Sequence, residues 1–286
     1  MVSQTAQKRS SVFEDLYKTF PIDIGGRHLE AYLAQERPIP KSLETVEGKG
    51  YEPLFMHQLA DARITAPSSS PLWNDPKRAF TVFDSVSSRM IGKTKNGSAV
   101  AVYAHIPTYV SDHENLRRTM EAAKVAESGR SSNKKSMYFV DVPKKEFYRV
   151  VDLDGSKDEK GNRLVWVIDY AKLANSREIY KKYPAEGMDG DIPVAIAMEH
   201  PQTVPFLGGE ERATSYLRRH EDIIGPRILD EIGFGLSFRD FDLSLRDHPI
   251  GTLINLGWYG GGLTAYYFGL KTGFRLDQGG NFIGVR

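Results

Sequence analysis

Cysteine is absent from the 286-residue chain. This absence excludes disulfides, thiolate nucleophiles, cysteine-ligated zinc and iron–sulfur clusters. Long apolar segments are missing as well: no run approaches the roughly 18 apolar residues of a membrane helix, and no apolar segment follows the first basic residues, as it does in a signal peptide. We therefore expect a cytoplasmic protein, or a part of an assembly built in the cytoplasm, that does not contact a membrane.

A strong charge of either sign is also lacking, since the formal net charge is +1. Proteins that bind nucleic acid with their whole surface are strongly basic, so this class is disfavoured. A local basic patch at Arg212, Arg218 and Arg219 remains an alternative. Acidic residues lie among these arginines, which favours a mixed, solvated helical face.

The length and composition suit one large globular domain with an ample core. No internal repeat of 20–50 residues is present. We expect a single domain over residues 1–286, with a flexible arm at 1–10 and a soft division in the polar, basic stretch near 129–136.

Hydrophobic periodicity and turn residues predict a mixture of helices and strands. Helices are expected at 11–20, 53–61, 111–129, 208–225 and 226–233. Strands are expected at 79–86, 99–106, 137–142, 147–153, 163–170 and 191–198, and a loop is expected around Pro38, Pro40 and residues 44–52. This pattern predicts an α+β fold with a mixed, mostly antiparallel sheet flanked by three to five helices.

Glycines and aromatic residues are densest near the C-terminus, in "GWYGGGLTAYYFGLKTG". The glycine spacing does not match the G-x-G-x-x-G of a dinucleotide-binding loop, whereas the aromatic residues favour strands and the glycines favour tight turns. We predict an aromatic β-meander that ends with "NFIGVR". Trp258, Tyr259, Tyr266 and Tyr267 are the candidate binding residues, because Trp and Tyr anchor many interfaces; the alternative is that they are core.

One pair of histidines is a candidate catalytic site. His105 ends a predicted buried strand, and His113 lies in the first turn of the next helix, beside Asp112. A strand end that faces a helix start is a common active-site geometry in α/β proteins, and such a pair could serve as acid and base. The alternative is a structural His105 and a solvated His113.

Other recognisable chemistry is missing. The carboxylate-rich segment 152–163 lacks the glycine and glutamate that an EF-hand requires at its sixth and twelfth positions, and no nucleophile elbow, P-loop or H-E-x-x-H motif occurs. We therefore expect no metal and no cofactor.

Two functions stay open. The first is a binding or assembly subunit that uses the aromatic C-terminal surface to contact a protein partner or a second copy of itself. The second is a hydrolase-type enzyme that works at residues 105–114. The absence of catalytic motifs favours the first, and the sequence leaves open whether the protein is an enzyme.

Overall fold

The computed structural model describes residues 19–73, 80–127, 139–175, 191–223, 227–229, 248–261, 265–272, 276–277 and 280–286. The predicted arm at 1–10, most of the predicted helix at 11–20 and the predicted division at 129–136 lie outside these ranges.

Strands make up most of the regular structure. They are β1 (Thr19–Ile24), β2 (Arg27–Glu36), β3 (Glu52–Pro53), β4 (Phe80–Lys93), β5 (Ala99–Ala104), β6 (Val140–Asp141), β7 (Val165–Asp169), β8 (Asp191–Pro193), β9 (Arg227–Leu229), β10 (Ile250–Gly261), β11 (Ala265–Thr272) and β12 (Gly280–Val285). The helices are α1 (Ile39–Gly48), α2 (Met56–Thr65), α3 (His113–Glu127), α4 (Lys144–Val151), α5 (Tyr170–Asn175), α6 (Val194–Ala197), α7 (Thr203–Leu207) and α8 (Glu210–Ile223).

The strands form one sheet with the order β1-β2-β12-β4-β10-β11-β9-β8, and β5 joins β4 to β7. Only the β11–β9 and β12–β4 pairs among the described strands are parallel. The predicted α+β class with a mostly antiparallel sheet is therefore confirmed. The described part has more helices than predicted, several of them a single turn long.

Two hydrophobic clusters form the core. One includes Leu59 of α2, Leu217 of α8 and Trp73, and the other includes Leu43 of α1 and Phe147 of α4. Helices α1, α4 and α8 bury residues three or four positions apart, the pattern by which an amphipathic helix packs on a core.

Several predicted elements are confirmed. The strand at 99–106 is β5, whose residues from Val100 onward are buried, and the strand at 163–170 contains β7. The helices predicted at 53–61 and 208–225 correspond to α2 and α8. The helix predicted at 111–129 is α3, which begins two residues later than expected and is capped by Asp112, whose Oδ1 accepts a hydrogen bond from Asn115 N at 2.9 Å.

Near the start of the described chain, two predictions are wrong. Phe20 belongs to β1 and not to a helix, and Pro21 is tolerated there because β1 lies at the sheet edge. The expected loop around Pro38 and Pro40 contains α1. Proline suits the first turn of a helix, and the buried Leu43 and Val46 lie three residues apart on one helical face.

Local pattern also misassigned segments with short apolar repeats. Residues 144–151 form α4, which buries Phe147 and Val150, and not the expected strand. Residues 227–229 form β9 in place of a helix, and the segment 191–198 divides into β8 and α6. Short apolar runs fit a helix or a strand equally well. The structure of these segments therefore depends on contacts with residues that are distant in sequence.

The C-terminal meander is not confirmed. β10 and β11 form an antiparallel pair, as expected. β12 then pairs with β2, β3 and β4 instead of continuing beside β11. The last strand thus lies inside the sheet, and its glycine Gly284 allows a close approach to α1: a Cβ there would lie 2.3 Å from Val46 Cγ1.

Candidate functional site

Strand β10 consists of two parts with different surroundings. Residues Ile250–Leu256, which we call the root, are all buried. Residues 257–261, which we call the outer half, continue the same strand and pair with β11 and with the start of β4. The root is rich in branched apolar residues, whereas the outer half consists of glycine and aromatic residues. A firmly held strand therefore leads into the predicted binding segment.

The strand register brings the four predicted binding residues together. Trp258 lies opposite Phe268, and Tyr259 lies opposite Tyr267. Gly260 lies opposite Tyr266 in the same ladder. Directly opposed residues on antiparallel strands are neighbours, and successive positions alternate between the two faces of a strand. The register therefore gives two adjacent aromatic pairs, Trp258 with Phe268 on one face of the ladder and Tyr259 with Tyr267 on the other. Their side chains lie outside the described part of the structure.

At the root, β4 departs from regular pairing. The register between β4 and β10 shifts between the Leu253–Ser88 pair and the Asn255–Asp84 pair. Side chains replace the missing ladder bonds: Ser85 Oγ donates to Ile254 O at 2.7 Å. We call this irregular region, with Asp84, Ser85, Ser87 and Asn255, the β4 junction. It is the place where β4 exchanges β12 for β5 as its second neighbour.

Asp84 is the central group of the β4 junction and is 4% exposed. Its Oδ2 accepts a hydrogen bond from Asn281 N at 2.8 Å, and its Oδ1 lies 3.4 Å from Asn255 Nδ2. Burial raises the pKa of Asp84 to about 7, and the two hydrogen bonds only partly oppose this shift. Asp84 thus connects the last strand to the root of β10.

His105 belongs to the same buried network. His105 Nε2 lies 2.9 Å from Pro205 O, which can only accept, so Nε2 carries the ring proton and donates. Nδ1 of the neutral ring therefore accepts from the Ser87 hydroxyl, 2.7 Å away, and the same hydroxyl accepts from Met56 N at 2.8 Å. Burial lowers the pKa of His105 to about 4. Both ring nitrogens are used within the fold, which favours a structural role.

Asp112 and His113 have other partners. Asp112 caps α3, and His113 Nδ1 lies 2.6 Å from Glu47 Oε2 of α1. None of the described contacts joins either residue to His105. The proposed catalytic group of His105, Asp112 and His113 is thus divided between a buried junction and the surface between α1 and α3, and its catalytic role stays a prediction.

The three arginines of the predicted basic patch differ in their surroundings. Arg212 donates to both carboxylate oxygens of Asp61, at 2.6 and 3.3 Å. Arg219 donates to Ala66 O at 2.8 Å, and Arg218 is exposed. Two of the three guanidinium groups therefore fix α8 against α2, which reduces the basic charge that a nucleic acid could contact.

A charged cleft of about 820 Å³ lies beside α2. Its wall carries four basic and four acidic side chains: Arg27, Lys160, Arg212, Arg286, Glu52, Asp61, Asp158 and Glu159. His57 also lines the cleft, and burial lowers its pKa to about 3, so it is neutral near pH 7. Because the charges balance, the cleft does not favour a ligand of one sign.

Metal clusters and membrane-spanning helices are both absent from the described ranges. The described residues contain no group of three or more His, Asp or Glu side chains placed to hold a metal ion. Within those ranges, no helix is both long and apolar enough to cross a bilayer.

Sequence reasoning missed the β4 junction. A signal was present, because Asp84 lies within a run of strand-forming residues from which aspartate is normally depleted. Serine follows it at 85, 87 and 88, and alternation alone does not predict a buried polar strand segment. The partners Asn255 and Asn281 are more than 170 residues away in sequence, so no local pattern connects them.

Comparison with known proteins gives one informative result. No family model and no curated protein matches the chain. One solved structure is similar, with a TM-score of 0.63 and 29% sequence identity over 92% of this chain and 100% of the other. It is described as "Accommodation of massive sequence variation in Nanoarchaeota by the C-type lectin fold". The fold described above therefore has a neighbour with a C-type lectin fold.

Proposed function

We propose that this protein is a binding subunit that contacts a protein partner through the outer half of β10 and the adjoining strand β11. The observation that carries the proposal is the register. Trp258 and Phe268 are opposed in the ladder, as are Tyr259 and Tyr267. Opposed aromatic residues at the end of a buried strand provide large contact areas with little side-chain freedom to lose on binding.

The similar structure supports this proposal. A fold that accommodates massive sequence variation must keep the residues that hold the fold separate from the residues that are free to differ. In this chain the root of β10 is wholly buried, whereas the adjacent glycine–aromatic segment has a different composition. We infer that the root holds the fold and that the outer half recognises the partner.

The remaining expectations fit this proposal to different degrees. A single domain in the cytoplasm, without a cofactor, is consistent with a binding subunit. The hydrolase alternative depends on His105, whose two ring nitrogens are already bonded to Ser87 and Pro205. No described contact favours that alternative.

The experiment that tests the proposal identifies the partner and then measures its binding. A photo-crosslinking amino acid is placed at Tyr259 or, as a matched control, at the partly exposed Tyr148 of α4. We expect one protein, or a second copy of the chain, to be crosslinked from position 259 and not from position 148. Calorimetry with that purified protein should then show at least a tenfold weaker affinity for Tyr259→Ser combined with Tyr267→Ser.

The control variant Tyr148→Ser should leave the affinity unchanged. Equal crosslinking from both positions, or full affinity in the double variant, would refute the proposed surface. If the captured protein is a second copy, sedimentation of the wild type should show a concentration-dependent dimer that the double variant lacks.

A further inference from the structure

The β4 junction contains an unusual combination of two buried polar groups. Asn255 is 1% exposed, and its Oδ1 is buried without a hydrogen-bond partner. Its Nδ2 lies 3.4 Å from Asp84 Oδ1, which is long for an N–H···O bond. Buried polar atoms are normally paired, so this arrangement of the amide leaves one acceptor unsatisfied.

Among the described side chains, none supplies a positive charge that would stabilise the ionised form of Asp84. The small cavity beside it is lined by Ile39, Leu116, Val140, Thr252, Leu253 and Leu276, together with Asn255 and Gly251. Asn281 and Phe282 meet it from β12. None of these residues titrates. Lys271, opposite Asn255 on β11, is the titratable residue next in register.

A buried carboxyl group without a cation takes up a proton more readily than one in water. Asp84 Oδ2 already accepts from a backbone N–H, so the proton belongs on Oδ1, the atom that faces the Asn255 amide. A protonated Oδ1 needs an acceptor there. Asn255 supplies this acceptor if its side-chain amide turns so that Oδ1 takes the place of Nδ2, because Oδ1 accepts hydrogen bonds and Nδ2 donates them.

We propose that Asp84 and Asn255 form a proton-coupled switch at the root of β10: protonated Asp84 donates to Asn255 Oδ1, and ionised Asp84 accepts from Asn255 Nδ2. The cavity beside both groups measures about 10 Å³ and gives the amide room to turn. The protonated state removes a buried negative charge and replaces the long Nδ2 contact with an O–H···O bond from Asp84 to Asn255 Oδ1. The root is therefore held more firmly when Asp84 carries its proton.

This inference goes beyond the proposed function and does not depend on the identity of a partner. Its consequence is that pH changes the stability of the sheet where the outer half of β10 begins. Because the folded pKa is raised and the unfolded value is ordinary, Asp84 destabilises the fold progressively as pH rises through the interval from about 4 to about 7. Above that interval the loss is complete.

Buried histidines act in the opposite direction below pH 6.5. His57 and His200 have pKa values lowered to about 3, and that of His105 is lowered to about 4, in each case mainly by burial. These groups destabilise the fold as pH falls. The contribution of Asp84 must therefore be measured as the difference between a variant and the wild type at each pH.

The first test is the variant Asp84→Asn, which is neutral and can donate to Asn255 Oδ1 at every pH. We expect its Tm to equal that of the wild type near pH 4 and to exceed it by roughly 4 °C or more at pH 8. The matched control Asp152→Asn changes an exposed carboxylate that pairs with Lys95, and it should show no such divergence. An equal Tm difference at all pH values would overturn the proposal.

The second test uses the wild type and does not require a variant to fold. In ¹³C NMR, the carboxyl carbon of Asp84 should titrate with a midpoint near 7, and the side-chain amide signals of Asn255 should move with the same midpoint. Backbone amides around Asn255 and Asn281 should exchange about fourfold faster at pH 8 than at pH 6.5 after correction for intrinsic rates. A midpoint near 4, or Asn255 signals that do not move, would overturn the switch.

Discussion

The root and the outer half of β10 belong to one strand but differ in composition and in what is paired with them. The root packs Ile254 and Leu256 at no measurable exposure and is tied to β4 by Ser85 and Asp84. The outer half places glycines and aromatic residues in register with β11. One strand thus combines a root held by burial and buried hydrogen bonds with an outer half of different composition. Substitutions should therefore lower stability much more in the root than in the outer half.

The largest expected effect is on stability in the root. Ile254→Ala removes a fully buried side chain and should lower the free energy of unfolding by about 3 kcal/mol. Tyr259→Ser, five residues along the same strand, should lower it by less than about 1 kcal/mol while weakening partner binding. Urea denaturation measures both variants, and similar losses at both positions would remove the distinction between the two parts.

A slightly smaller loss of stability is expected at Gly251, where the root is packed too closely to admit a larger side chain. A Cβ on Gly251 would lie 2.4 Å from Val110 Cγ2 and 3.0 Å from Met90 Cγ. Gly251→Ala should therefore cost about 2 kcal/mol through overpacking. Gly48→Ala is the matched control, because a Cβ there meets no atom within 4 Å; equal stability of the two variants would show that the root is loosely packed.

The smallest expected effect concerns acid stability at the β4 junction. His105 is neutral in the fold, and its unfolded form takes up a proton below about pH 6.5, so stability falls as the pH drops from 6.5 towards 4. The His105→Gln variant cannot take up this proton and should therefore lose about 1 kcal/mol less stability than the wild type between pH 7 and pH 5.5. Thermal unfolding at the two pH values measures the difference. An unchanged loss would mean that His105 is solvated and not held by Ser87.

Local sequence patterns predicted much of the scaffold. Tyr216 and Leu217 lie on the buried face of α8, as their spacing indicated, and the apolar run from Val100 predicted a buried strand. The same reasoning failed for α4, since Phe147 and Val150 suit a helix and a strand equally well. It predicted the final strand β12 but not its place in the sheet, because insertion between β2 and β4 depends on contacts with residues far away in sequence.

The candidate site was only half predictable. Composition identified the glycine–aromatic segment, and the turn residues indicated that β10 and β11 would pair. The junction that holds them was not visible, because Asp84, Asn255 and Asn281 are separate in sequence and meet only in the folded sheet. His105 was recognised as a buried strand-end histidine, but its bonds to Ser87 and Pro205 depend on tertiary contacts.

The most direct test of the division within β10 is a saturation library over positions 250–261, displayed on cells and sorted for resistance to a protease. We predict that positions 250–256 tolerate few residue types and that tolerance rises abruptly at position 257, with the tolerated outer variants still folded. Equal intolerance on both sides of that boundary would contradict the account, because the outer half would then be core as well.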